Sequence, residues 1–100
     1  MRRARSQLPE VYCDLNAQMT ERGYSLERRG SLEDLARLGL TLETAVGRRF
    51  TFYMDDGDAE GRPDDIMWEG RVVHDPKWGY LGQFDGDGFY HRSDLTDADA

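Results

Sequence analysis

The chain changes its apolar period once, near residue 48. Before that point, apolar side chains recur every three or four residues: Val11, Leu15 and Met19 with Tyr12 beside them, then Leu32, Leu35 and Leu38. That spacing gathers them on one stripe of a helix. Pro9 suits a first helical turn and Gly23 a stop, so a helix is expected over about 9–22. Tyr24 to Gly30 reads as a polar connector, with Gly30 as a breaker. Ser31 then opens a second helix. Its hydroxyl is placed to accept the Asp34 amide, and acids in the first turn suit the helix dipole. Gly39 ends this helix, and Thr41 caps one further turn from Leu42 to Val46, closed by Gly47. Helices this short need tertiary packing to persist.

After Gly47 the period becomes two. Phe50, Phe52 and Met54 share a face, which predicts a strand over 49–54. The next eleven residues, DDGDAEGRPDD, hold two glycines, a proline and six acids and read as a loop. Strand character resumes from Ile66 to His74, with Gly70 as a bend or bulge. Asp75-Pro76-Lys77 is a turn, and Trp78 to Phe84 a third strand. Asp85-Gly86-Asp87-Gly88 predicts a tight turn into a fourth strand, Phe89 to Arg92. A short turn at Ser93-Asp94 then tucks Leu95 inward.

The expected fold is therefore α+β. Two short N-terminal helices precede a strongly bent antiparallel meander of four to five strands, or a small closed barrel. The expected organisation is one domain over 1–100: a flexible basic arm at 1–8, a helical segment at 9–46, a β segment at 47–95 and a flexible tail at 96–100. With 100 residues, such a domain buries roughly 65% of its unfolded surface without needing metal or disulfide staples. Val46-Gly47 before the first strand, the Glu69-Gly70-Arg71-Val72 bend, the strand from Gly79-Tyr80 to Phe84-Asp85, and Leu95 after Ser93-Asp94 carry a resemblance. Residues 46–96 resemble the SH3-like and Tudor-like small β-barrels. The chain also resembles small bacterial proteins that carry no assigned function. Tudor-like barrels hold methylated lysine or arginine between exposed rings and acids, so the resemblance implies an aromatic, acidic surface that attracts cations.

Charge sharpens that expectation. The chain carries 20 acidic and 13 basic residues, a net charge of −7. Residues 1–49 hold nine arginines against seven acids; residues 50–100 hold four basic residues against thirteen acids. The second half repels phosphate backbones and attracts cationic partners. The three arginines of the arm, Arg2, Arg3 and Arg5, are too few to reverse this, so nucleic acid is not an expected partner. Nine of the eleven aromatic residues lie between Phe50 and Tyr90. Alternation sets Phe50 and Phe52 on one face and Tyr53 on the other. The outward rings are expected to be Tyr53, Trp78, Tyr80 and Tyr90, with Asp55, Asp56 and Asp85 beside them, because ring faces and carboxylates both attract cations.

Other chemistry is thinner. Asp56, Asp58, Glu60 and Gly61 follow the opening of a calcium loop loosely, with Asp64 further on. The twelfth position, where a closing glutamate belongs, is Met67, and Arg62-Pro63 occupy the second half. A solvated loop is the expectation, and a weak cation site at Asp56, Asp58, Glu60 and Asp64 the alternative. His74 and His91 could meet across the sheet, but two histidines need Asp75 or Asp94 to complete a metal site. Cys13 is the only cysteine, which excludes an internal disulfide and fits a reducing cytoplasm. It lacks a nearby base and reads as a small apolar residue. Mean hydropathy is −0.79, no apolar run approaches the roughly 18 residues of a membrane span, and no apolar stretch follows Met1-Arg2-Arg3-Ala4-Arg5 to make a secretion signal. No phosphate-binding glycine loop or nucleophile elbow is present. The expected function is a non-enzymatic module that binds a basic protein or peptide, without a cofactor, through an acidic and aromatic β surface. The alternatives are an acidic inhibitor, of immunity type or mimicking nucleic acid, and a weak cation-binding domain.

Overall fold

The structure, a computed structural model, describes residues 3–4, 7–86 and 88–96. In chain order it contains β1 (Arg3–Ala4), β2 (Glu10–Tyr12), a 3₁₀ turn at Leu15–Ala17, β3 (Gly23–Ser25), α1 (Arg29–Arg37), α2 (Leu42–Ala45), β4 (Arg49–Met54), β5 (Ile66–Asp75), β6 (Gly79–Phe84), β7 (Tyr90–His91), a second 3₁₀ turn at Arg92–Asp94, and β8 (Leu95–Thr96). The fold mixes α and β. An open six-stranded sheet runs β2-β4-β5-β6-β3, with β7 also on β5, and β1 pairs with β8 in a separate parallel ribbon.

The helix expected over 9–22 is absent. Val11 and Cys13 are both fully buried while Tyr12, between them, is half-buried, which is the period of a strand. Helical and strand spacing both fit so short a segment, and pairing decided between them. β2 lies parallel to β4, with Val11 opposite Phe52, and the Cys13 amide donates to the Tyr53 carbonyl at 2.9 Å. Parallel neighbours need a long crossover; residues 13–48 supply it and carry β3 and both helices. Tyr24 to Gly30 is accordingly not a plain connector, since it holds β3 and the start of α1.

α1 begins before Ser31, so Ser31 is no cap. Its hydroxyl is fully buried and donates to the Tyr12 carbonyl on the outer edge of β2. Of the three leucines expected in one stripe, only Leu35 is buried; Leu32 and Leu38 flank it at 45% and 42% exposure. Gly39 ends the helix at φ +75°, and Thr41 caps α2 by accepting the Thr44 amide, both as expected.

The strand at 49–54 forms as read, and the loop at 55–65 follows it. Gly70 makes no bulge. Its register is continuous with Phe50 on one side and Phe84 on the other. A side chain there would strike the Gln83 carbonyl and come within 2.9 Å of the Phe52 ring, so close packing is what requires the glycine. The tight turn expected at Asp85–Gly88 does not reverse the chain either. β6 and β7 run the same way along the same side of β5: Phe84 faces Gly70 and Tyr90 faces Met67. Six steps on one strand match three on the other, so 85–89 is an interruption within one long antiparallel partner. The meander has three passes where four to five strands were expected.

One sheet face carries the main core, with Val11, Phe50, Phe52, Trp68 and Val72 packed against Leu26, Leu35 and Ala45. A smaller cluster of Met67, Tyr90 and Leu95, with Tyr53 against it, sits at the start of β5; Leu95 is tucked in as expected. Of the basic arm, Arg3 lies in β1 opposite Leu95, so this part of 1–8 is strand. Arg2, Arg5 and residues 97–100 of the expected tail lie outside the described residues.

Candidate functional site

The acidic loop is tied down at one end of the sheet. Gly57 bridges Pro63 across it, and Asp58 accepts the amides of Glu60 and Arg62, both at 2.9 Å. Three further contacts fasten it to the turn at 91–94. Asp56 Oδ2 lies 2.9 Å from His91 Nε2; Asp64 accepts the Ser93 amide at 2.9 Å and hydroxyl at 2.6 Å; Asp65 accepts Arg92 Nε at 3.0 Å. Arg92 also grips Glu10 through both terminal nitrogens, at 3.2 and 3.0 Å, which joins β2 to the same assembly. The electrostatics follow this geometry. The hydrogen bond from His91 holds the Asp56 carboxyl below its ordinary range, and bonds from Ser93 do the same for Asp64. Its bond to Asp56 pushes the His91 imidazole up. Glu10 and Asp65 raise Arg92 further.

The residues weighed as a cation site are thus spent on internal partners: Asp56 on His91, Asp58 and Glu60 on Arg62, and Asp64 on Ser93. No group of three or more possible metal-ligating side chains converges among the described residues. Asp55 is exposed and has no ion pair or side-chain hydrogen bond among them.

The four candidate rings do not form one surface. Tyr90, expected outside, is 6% exposed, because the interruption at 85–89 returns it to β5 beside Met67; its hydroxyl donates to Glu69. Tyr53 is half-buried and its hydroxyl donates 2.6 Å to Asp34. Burial raises its pKa. Trp78 and Tyr80 lie at the far end of β5. Trp78 is 42% exposed beneath the Lys77 ammonium, 4.9 Å from the ring centre, and the Tyr80 ring packs at a tilt against His74 with centroids 4.7 Å apart. Of the acids, Asp55 and Asp56 belong to the tied loop, whereas Asp85 pairs with Arg49 at 3.0 Å. The two histidines are not neighbours. His91 faces Ile66 and His74 faces Tyr80, eight positions apart on β5 and so separated by about 26 Å at strand rise. Cys13 is fully buried, and burial raises its thiol pKa far above the reactive range.

Two features escaped the sequence reading. The first is Asp34. At 4% exposure its carboxylate accepts the Tyr12 amide at 2.9 Å and the Tyr53 hydroxyl, and pairs with Arg37. With Ser31 it occupies the outer edge of β2, a device that keeps a sheet edge from pairing with another chain. A charged residue on the buried side of the Leu35 helix was the available signal. The second is a cleft of about 220 Å³ lined by Glu21, Arg22, Tyr24, Phe84 and Phe89. Phe89 is 47% exposed and packs on Trp68 and Phe84, and the Arg22 guanidinium lies 4.9 Å over Phe84. Phe89 was placed in a strand, so its escape from the ladder was hidden.

No known protein family, curated protein or solved structure matches the chain. The described residues contain no helix long and apolar enough to cross a membrane.

Proposed function

We propose that this protein is a non-catalytic interaction module whose acidic sheet end, residues 55–65 with the turn at 91–94, docks on a basic protein or peptide. The observation that carries the reading is the triple attachment of the acidic loop through Asp56, Asp64 and Asp65. A loop already held in place loses little conformational freedom when it binds. The attachments consume some of its charge and leave Asp55 without an ion pair among the described residues, while Glu60, 67% exposed, still faces solvent beside its bond to Arg62. The excess of acids in the second half of the chain steers a cation toward that end. The resemblance to small SH3-like and Tudor-like barrels rests on the sequence pattern of residues 46–96; of that segment, β4, β5 and β6 serve here as the platform that carries the loop. The aromatic part of the expected surface is reduced to separate rings.

The test is fluorescence anisotropy with a labelled lysine- and arginine-rich peptide. Binding is expected at low ionic strength and should fade toward about 1 M salt, where the screening length falls to about 3 Å. The double variant Asp55→Asn/Glu60→Gln should bind about twofold to thirtyfold more weakly with little change in thermal midpoint, since exposed pairs contribute roughly 0.2–1 kcal/mol each. Equal affinity of the double variant and the parent would refute this placement of the site.

A further inference from the structure

The interruption between β6 and β7 does more than carry Tyr90 inward. β6 leaves β5 at Phe84, which faces Gly70, and β7 rejoins it at Tyr90, which faces Met67. Phe89 therefore stays off the ladder. It is 47% exposed, with its ring centre 5.3 Å from that of Phe84 and 5.5 Å from that of Trp68. Tyr24, on β3, also packs on Trp68, at 5.8 Å. The cleft of about 220 Å³ is lined by Tyr24, Phe84 and Phe89, and the rest of its lining is Glu21 and Arg22. The backbone at 21–22 is held in place. The Phe84 amide donates to the Arg22 carbonyl at 2.8 Å, and Gln18 Nε2 donates to the Glu21 carbonyl at 3.1 Å.

The two charged side chains of this lining have opposite signs, and neither is in an ion pair. Arg22 Nε donates to the Phe84 carbonyl at 3.2 Å, which sets the guanidinium 4.9 Å over the Phe84 ring. Its two terminal nitrogens have no partner among the described residues. The end of the fork is therefore open to a carboxylate in two-point geometry. The Glu21 carboxylate has no hydrogen bond or ion pair among the described residues either. The two side chains are neighbours in sequence but do not bond each other.

We propose that this cleft binds a free aromatic α-amino acid. The ring of the ligand enters between Tyr24, Phe84 and Phe89, where offset and edge-to-face contacts between rings are favourable. Its carboxylate meets the terminal nitrogens of Arg22, and its ammonium meets Glu21. Size agrees with this ligand. At about 220 Å³ the cleft falls below the roughly 300–1,000 Å³ of sites for drug-sized ligands, which suits one ring on a short polar stem. Charge agrees as well. A protein of net charge −7 repels a plain carboxylate and draws a plain amine to its many other acids. A zwitterion matches a cleft that offers one charge of each sign. The cleft shares no residue with the acidic end proposed above, so the two readings are tested separately.

The test is a titration of the isotopically labelled full chain with L-phenylalanine, followed through its backbone amide signals. The expected result is saturable shifts centred on Glu21, Arg22, Tyr24, Phe84 and Phe89. The dissociation constant should be about 0.1–1 mM, in keeping with so few ligand atoms. Three further probes each lack one part of the ligand: phenylpropionate the ammonium, phenethylamine the carboxylate, and leucine the ring. Each should bind about threefold or more weakly. Glu21→Gln should weaken L-phenylalanine about threefold and leave phenylpropionate no weaker. Arg22→Gln should weaken L-phenylalanine about fivefold, with Arg22→Lys, which keeps the charge without the fork, between it and the parent. The Glu21 side chain bonds nothing else among the described residues, so Glu21→Gln decides the matter even where loss of the Arg22 bond to Phe84 disturbs the fold. Absence of shifts at these amides up to about 10 mM L-phenylalanine overturns the proposal. So does equal or tighter binding of phenylpropionate, phenethylamine or leucine at the same amides, or unchanged affinity of a folded Glu21→Gln or Arg22→Gln chain.

Discussion

Replacing Asp34 by alanine tests whether the buried carboxylate, and not helix propensity, holds α1 against the sheet. The change removes the acceptor for the Tyr12 amide at 2.9 Å and the Tyr53 hydroxyl at 2.6 Å. A hydrogen bond to a charged group contributes about 1.5–3 kcal/mol. Tyr53 is half-buried, so its hydroxyl can turn toward water and recover part of that loss. The Tyr12 amide sits under α1 and has less access. Arg37 is 70% exposed and its pairing adds little. The expected loss is about 3 kcal/mol, a substantial share of the roughly 5–15 kcal/mol of a typical domain. In a domain of this size that lowers the thermal midpoint by about 12–24 °C. Urea unfolding followed by tryptophan fluorescence measures it, since Trp68 is fully buried in the core. Tyr53→Phe alone should cost about 1 kcal/mol, and the Asp34→Ala/Tyr53→Phe pair should show a coupling of about 1 kcal/mol. A loss below about 1 kcal/mol for Asp34→Ala, or strict additivity with Tyr53→Phe, refutes the reasoning.

Two further outcomes follow from the packing and the charges. Gly70→Ala sets a methyl against the Gln83 carbonyl and the Phe52 ring; a backbone group cannot swing aside, so the variant should lose more than about 2 kcal/mol in the same urea assay, and wild-type stability would show that the sheet opens at that point. For His91, the pKa is raised above its ordinary 6.5, so its contribution is complete below that pH and is lost as pH rises through the folded value; for Asp56, the pKa is depressed below 3.8, so its contribution is present above that pH and lost as pH falls through the folded value. Asp64 and Asp94 act on His91 in the same direction. The gap in thermal midpoint between the parent and His91→Asn should therefore be widest from about pH 4 to 6.5 and shrink toward pH 8 and pH 3; a gap independent of pH would remove the ion pair from the account.

Local pattern was sufficient where a segment was long and its period unambiguous. Phe50, Phe52 and Met54 against Tyr53, the ten-residue run around Trp68, the glycine after α1 and the Thr41 cap are properties of neighbouring residues, and the folded chain retains them. Composition likewise set the charge imbalance between the halves. Tertiary structure decided the cases in which local rules tie or compete. Val11 to Cys13 is too short to choose between periods, and β4, forty residues later, supplied the partner that made it a strand. Asp-Gly-Asp-Gly permits a reversal but does not compel one; β5 had length left beyond Phe84, so the chain continued along it and carried Tyr90 inside. The candidate sites follow the same division. Acidic residues were legible as a loop, but whether each carboxylate met His91, Ser93, Arg92 or water depended on a turn some thirty residues away. Hydrogen-bond partners and like-charge neighbours such as Arg49 and Arg71 are contacts between distant segments. No local rule encodes them, because their energy exists only once the strands are side by side.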